Sequence, residues 1–166
     1  MKTCRCIAIL APVFLTFLAL ISGIPATLAY GMEMWAVARD NVILRDAPSL
    51  QSLTLWKYDR GLPLQVTGVQ GNWRKVSDFE GDGGWLLVSD LDKTPHMVVS
   101  ANKDSGGKIK VNIRKGPGEE YPLVGEAVYG AVFATLEQKH GWVQVQHIEP
   151  GVRVEGWIKR DQLWGF

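Results

Sequence analysis

The sequence predicts an all-β chain: two small barrels in tandem behind a secretory leader. Three observations carry this expectation. One unit is written twice. Short strand-like runs alternate with turn residues throughout. Beyond the leader, no stretch keeps a helical apolar period for the ten or so residues a helix needs.

The duplication defines the unit. Residues 42–76 align without a gap with residues 111–145, at a constant offset of 69. Identical columns are Val42/Val111, Arg45/Arg114, Pro48/Pro117, Gly61/Gly130, Trp73/Trp142 and Val76/Val145. After three extra residues in the second copy, Gly84-Trp85 matches Gly156-Trp157 and Leu91 matches Leu163. The matches fall at turns and aromatic positions, where a fold constrains residue type most.

In the second copy the runs HMVVSA, IKVNIR, VFATLEQ, WVQVQHI and VEGWIK read as strands. The first copy has WAVAR, VILR, LPLQVTGV, WRKVSDF and GWLLV. The breaks, among them NKDSGGK, KGPGEEYP and EPG, are rich in residues that favour turns. Five short strands in each unit suggest closure into a barrel, which removes sheet edges. The expected divisions are a leader at 1–29, a first domain at 35–92 and a second at 97–166. A unit of this size buries only about 60% of its unfolded surface, and the linker LDKTPH is short and stiffened by Pro95. The units are expected to touch.

The leader is a different material. Lys2 and Arg5 precede an apolar run from Ile7 to Ile21, and PATLA ends at Ala29. Basic n-region, h-region and small-residue site together predict export, to the periplasm or the extracellular side, with cleavage after Ala29. An uncleaved anchor is the alternative. No later segment reaches membrane-spanning length. Cys4 and Cys6 both lie in the leader, so the mature part has no disulfide, thiolate nucleophile or Cys-based metal site. Subtracting Lys2 and Arg5 from 18 basic residues leaves 16 against 17 acidic ones, a balance that excludes a typical nucleic-acid binder.

VNIRKGPGEEYP resembles the opening strand and turn of bacterial SH3-like (SH3b) domains. GLPLQVTGVQGNWRKVSDFEGDGGWLLVSDL and GWIKRDQLWGF resemble exported tandem SH3-like proteins. The likeness covers nearly all of the mature chain. It implies two SH3-like barrels and a binding role without naming the ligand, since one fold serves many functions. By the same resemblance, Tyr121-Pro122 packs on the Gly-Pro turn.

Strand alternation addresses the tryptophans. In WVQVQHI, Trp142, Gln144 and Gln146 share one face, and Val143, Val145 and His147 the other. Trp73 groups with Lys75 and Ser77, opposite Val76; Trp157 groups with Lys159, opposite Ile158. Trp85 shares its face with Leu87. Parity therefore turns Trp73, Trp85, Trp142 and Trp157 outward, two to a unit, as stacking platforms for sugar, peptide or cation. Trp56 and Tyr58 share a face in LTLWKY and join the candidate set. The competing reading is that these rings belong to the fold or seal a joint. Likeness to eukaryotic SH3 domains places Trp73 and Trp142 at the ligand-contacting Trp. The groove's Pro is here Leu87 or Lys159 and its Tyr is Asp90 or Gln162, so a proline-rich ligand is not implied.

Nothing suggests catalysis. There is no Gly-x-Ser-x-Gly elbow and no phosphate loop. SH3b domains accompany cell-wall cysteine peptidases, but the mature chain lacks the Cys. His96, His140 and His147 have no zinc-ligand spacing. Asp78, Glu80 and Asp82 recur like a calcium loop but no acid closes it, so a solvated hairpin tip is expected. Arg45 and Arg114 are expected to stay solvated or to pair weakly with a carboxylate. No cofactor or metal is expected. The expected function is an exported, non-catalytic envelope protein that recognises peptidoglycan or an extended peptide through outward Trp. The alternatives are an assembly protein whose Trp pack between domains or subunits, and an accessory subunit of a separately encoded enzyme.

Overall fold

The computed structural model describes residues 33–149 and 152–166. The leader, with Cys4 and Cys6, lies outside them. Among the described residues no helix is long and apolar enough to cross a membrane, and helical geometry is confined to three short 3-10 turns.

The chain forms two seven-stranded antiparallel sheets. The first contains β1 (Glu33–Val37), β2 (Val42–Arg45), β3 (Thr54–Tyr58), β4 (Pro63–Gln70), β5 (Trp73–Ser77), β6 (Gly83–Leu87) and β7 (Leu91–Asp92). The second contains β8 (His96–Val99), β9 (Val111–Arg114), β10 (Leu123–Ala127), β11 (Val132–Lys139), β12 (Trp142–Glu149), β13 (Val152–Lys159) and β14 (Leu163–Gly165). Their orders are β3-β2-β6-β5-β4-β1-β7 and β10-β9-β13-β12-β11-β8-β14, the same topology twice.

The SH3-like, all-β architecture is as the sequence suggests, but the barrels are not closed. Each sheet curls around its core and leaves its end strands unpaired with each other. Two features prevent closure in the first unit. All of β3 except Tyr58 is exposed, and β7 is two residues long. The curl comes from register shifts at equivalent places, between Val66 and Gly68 and between Thr135 and Glu137.

Alternation supplies the cores. Val37, Val42, Leu44, Tyr58, Leu64, Val66, Val76, Leu86 and Leu91 fill the first. Met97, Val99, Val111, Ile113, Ala127, Phe133, Val143, Val145, Ile158 and Leu163 fill the second. Each fully buried Val or Leu stabilises by about 1.5–3 kcal/mol. The repeated Val42/Val111, Val76/Val145 and Leu91/Leu163 columns are thus core positions.

The other repeated columns have equally local causes. At Gly84 a Cβ would lie 2.5 Å from the Arg45 carbonyl oxygen, and at Gly156 2.7 Å from that of Arg114. Only glycine lets β2 and β9 cross β6 and β13 so closely. Gly61 and Gly130 both hold left-handed turns, at φ +84° and +82°.

The two units touch. The Phe79 and Tyr129 rings are 5.4 Å apart at 53°. The Tyr129 hydroxyl donates to Glu80 Oε1 at 2.7 Å, and Lys103 Nζ is 3.7 Å from Glu80 Oε2. A Cβ at Gly61 would strike His96 at 2.9 Å.

The DFEGDGG segment is not merely a solvated tip. Asp78 is buried: its Oδ1 accepts from the Glu80 and Asp82 backbone N–H groups, and its Oδ2 from the Tyr58 hydroxyl at 2.8 Å. One carboxylate thereby shapes the β5–β6 hairpin and anchors β3. Among the described residues no group of metal-ligating side chains converges.

Candidate ligand-binding face

The candidate face is the side of each curled sheet turned away from its core. In β5 and β6, Val76 and Leu86 point inward. Trp73, Lys75, Trp85 and Leu87 therefore point outward. Register sets Trp73 opposite Leu87 and Lys75 opposite Trp85, so the two indoles stand diagonally across the ladder. At that spacing, roughly 7–8 Å between backbones, large rings share one surface. Both are half-buried. The second unit repeats the register: Trp142 opposite Lys159, and Gln144 opposite Trp157.

The copies differ in how open this face is. Trp142 is half-buried, like Trp73 and Trp85. Trp157 lies outside the core cluster yet is only 8% exposed, so the expected accessible fourth indole is corrected. The copies also differ on the core-side face, where Trp56 in the first copy is Gly125 in the second. A Cβ at Gly125 would meet Val154 at 3.5 Å, and Val124 reaches within 2.9 Å of the Cβ position of Gly156. Glycine there leaves room for β10 to pack against the core side of β13, whereas Trp56, at that column in the first copy, is 56% exposed.

Trp56 and Tyr58 do share a face, opposite Leu44 and Val42. It is the core-side face, not that of Trp73 and Trp85. Tyr58 is buried with its hydroxyl bound to Asp78, so it is a core residue and not a ligand contact. Burial, and then the Asp78 carboxylate, push its phenol well above the ordinary tyrosine value.

Residues that the sequence left aside complete the face. Arg45 lies opposite Trp85 and Arg114 opposite Trp157. Neither is free in solvent. Arg45 Nη1 donates to the Ser52 carbonyl at 3.0 Å, and Arg114 Nη1 to that of Tyr121 at 2.8 Å. Each guanidinium braces the loop that follows its strand, which explains the repeated Arg column. The Tyr121 ring packs on Gly116, where a Cβ would lie 2.4 Å from it, as the family likeness implies. Elsewhere, Lys93 Nζ and the Arg74 guanidinium stand 4.8 and 5.8 Å from the Trp35 ring centre.

Lys159 Nζ is 5.8 Å from the Trp142 ring centre and forms an ion pair with Glu119. That pair holds the Glu119 carboxyl below its usual range and raises the Lys159 ammonium. Gly141, Trp142, Lys159, Arg160, Asp161 and Leu163 line an open hollow of about 480 Å³. A larger groove, about 1060 Å³, runs along the joint past Asp40, Arg60, His96 and His147 and holds none of the candidate tryptophans.

Comparison with known proteins agrees with the duplication. The bacterial SH3 domain family model matches residues 38–93 and again 107–165. The chain is 21% identical over 131 residues to a putative N-acetylmuramoyl-L-alanine amidase, YrvJ of Bacillus subtilis (strain 168). That match takes 76% of this chain and 24% of the relative, so the chain spans about a quarter of the relative's length. Among solved structures, an NlpC/P60 family protein from Bacillus cereus ATCC 10987 is 14% identical, over 80% of this chain and 56% of that one, with a TM-score of 0.35. The endolysin LysPBC5 CBD is 17% identical, over 80% and 93% of the respective chains, with a TM-score of 0.30.

Proposed function

The chain belongs to the bacterial SH3 domain family, and from that membership we propose that it is an exported, non-catalytic binding protein of the cell envelope. Its ligand is peptidoglycan, met on the outer faces of the two sheets. The observation that carries this reading is the repeated Trp register, Trp73 diagonal to Trp85 and Trp142 at the same place in the second unit, with all three rings partly open to solvent. Indoles fixed on strands lose little entropy when a sugar or peptide stacks on them. The curated relative's printed name, an N-acetylmuramoyl-L-alanine amidase, is the support for a cell-wall ligand. The Ile7–Ile21 apolar run and the small residues up to Ala29 support export to the periplasm or beyond.

The alternative, Trp as packing between domains, is less favoured. Among the described residues, the ring contact, hydrogen bond and ion pair across the joint come from Phe79, Glu80, Lys103 and Tyr129. Co-sedimentation with purified sacculi tests the proposal. The full chain is expected to pellet with them, and a Trp73→Ala/Trp142→Ala double variant to bind about tenfold more weakly or worse. Failure of the full chain to pellet would contradict it.

A further inference from the structure

The two tryptophan platforms are not equivalent. Trp73 stands between Gln70 on β4 and Leu87 on β6. Its counterpart Trp142 stands between Lys139 on β11 and Lys159 on β13. Position for position, a neutral amide and an aliphatic side chain have become two lysines, one on each side of the ring. The next positions follow suit, with Val88 and Ser89 replaced by Arg160 and Asp161.

These charges have distinct occupations. The Arg160 guanidinium is spent on the chain itself, donating to the Leu163 carbonyl at 2.8 Å and the Gly165 carbonyl at 3.4 Å. Lys139 is exposed and makes no hydrogen bond or ion pair among the described residues. Lys159 is held by Glu119, which comes from the β9–β10 loop 40 positions away. Both partners of that pair are solvent-exposed, at 40% and 69%. Exposed Lys–Glu pairs contribute little and exchange readily.

We propose that the Trp142 platform takes a ligand carrying a carboxylate beside a flat C–H-rich face, and that the Glu119 carboxylate holds the place of the ligand's own. The flat face stacks on Trp142. The ligand carboxylate displaces Glu119 from Lys159 and also meets the unpaired Lys139, an ammonium Glu119 does not engage. With Glu119 displaced, two lysines face one carboxylate, and Asp161 remains the acid in the hollow. The Trp73 ring has no lysine across the ladder on either side; the one outward lysine of that face, Lys75, stands opposite Trp85 instead. The two halves would then read different parts of one polymer. This inference rests on the reading of Trp142 as a ligand platform.

The carboxylate could belong to an acidic sugar or to a peptide terminus, and the probes separate the two. The full chain is titrated, by Trp fluorescence and calorimetry, with N-acetylmuramic acid and its methyl ester, and with a short D-alanine-terminated peptide and its amide. One acid is expected to bind several-fold tighter than its neutral partner. Glu119→Gln is expected to increase that acid's affinity about two- to fivefold, the range in which exposed ion pairs act. Lys139→Met/Lys159→Met is expected to abolish the discrimination while leaving the melting temperature unchanged. Equal binding of acid and neutral forms by the Glu119→Gln variant would overturn the proposal, as would discrimination that survives loss of both lysines. Sacculus binding by Trp142→Ala tells the two levels apart. If it is weakened while acid and ester bind alike, the platform stands and the carboxylate inference falls. If it is unchanged, both fall.

Discussion

Arg114 lies directly across the β9–β13 ladder from Trp157 and donates through Nη1 to the Tyr121 carbonyl, 2.8 Å away. Arg45 stands in the same relation to Trp85 and the Ser52 carbonyl. Each copy therefore uses one guanidinium to fix the loop that borders its aromatic face. Removing either leaves a loop carbonyl without its charged donor. Arg45→Ala and Arg114→Ala are each expected to destabilise by about 1–2 kcal/mol, seen as a lower melting temperature. No change in either would show that the brace is dispensable.

The glycine before each outer tryptophan should resist replacement more strongly. At Gly84 the nearest obstructing atom is the Arg45 carbonyl oxygen at 2.5 Å, and at Gly156 the Arg114 carbonyl oxygen at 2.7 Å stands beside the buried Ile113 Cγ2 at 2.6 Å. Backbone yields less easily than a side-chain tip. Gly84→Ala and Gly156→Ala are expected to cost at least about 1–3 kcal/mol, measured by urea denaturation. A stability within error of the parent would refute the close crossing.

Two phenols make the fold sensitive to alkali. Tyr58 is raised above its ordinary value by burial first and by Asp78 second, and Tyr129 is pushed up to about 12 by burial and then by its bond to Glu80. In the unfolded chain both lose their protons near pH 10. The folded state holds protons the unfolded state has released, so stability falls as pH rises above about 10. Below that, their contribution is complete. Tyr58→Phe should flatten this alkaline loss, and at neutral pH should cost about 1–3 kcal/mol by leaving Asp78 Oδ2 without its donor. Melting temperatures from pH 7 to 11 for parent and variant provide the check. An unchanged alkaline slope would count against the Tyr58–Asp78 pairing.

Much of this was readable from the chain, for identifiable reasons. Strands such as β5 and β12 have strict alternation, so parity placed Val76 and Val145 inside and Trp73 and Trp142 outside. The edge strands were harder. β3 exposes Thr54 through Lys57 and β10 has Gly125 in its middle, so neither has the apolar period that marks a half-buried strand. The closing strands β7 and β14, two and three residues long, are too short to show a period at all, so each unit reads as five strands and a closed barrel where the structure has seven and an open curl. The burial of Trp157 was hidden for a related reason. Parity sets which side of its own strand a ring faces and says nothing of what covers that side. Asp78 was hidden because its three partners come from a hairpin turn and from Tyr58, 20 positions away. The Arg45/Arg114 column was visible as a repeat, but its partner is a carbonyl, which every residue carries.

The most direct measurement is a paired readout on single alanine variants at Trp73, Trp85, Trp142 and Trp157: affinity for purified sacculi and melting temperature, each against the parent chain. Trp73→Ala, Trp85→Ala and Trp142→Ala are expected to weaken binding with little thermal loss. Trp157→Ala should do the reverse, lowering stability by about 3–5 kcal/mol as expected for a buried indole. If the three half-open indoles instead lower the melting temperature and leave sacculus binding intact, the outer faces are packing surfaces and the binding account is wrong.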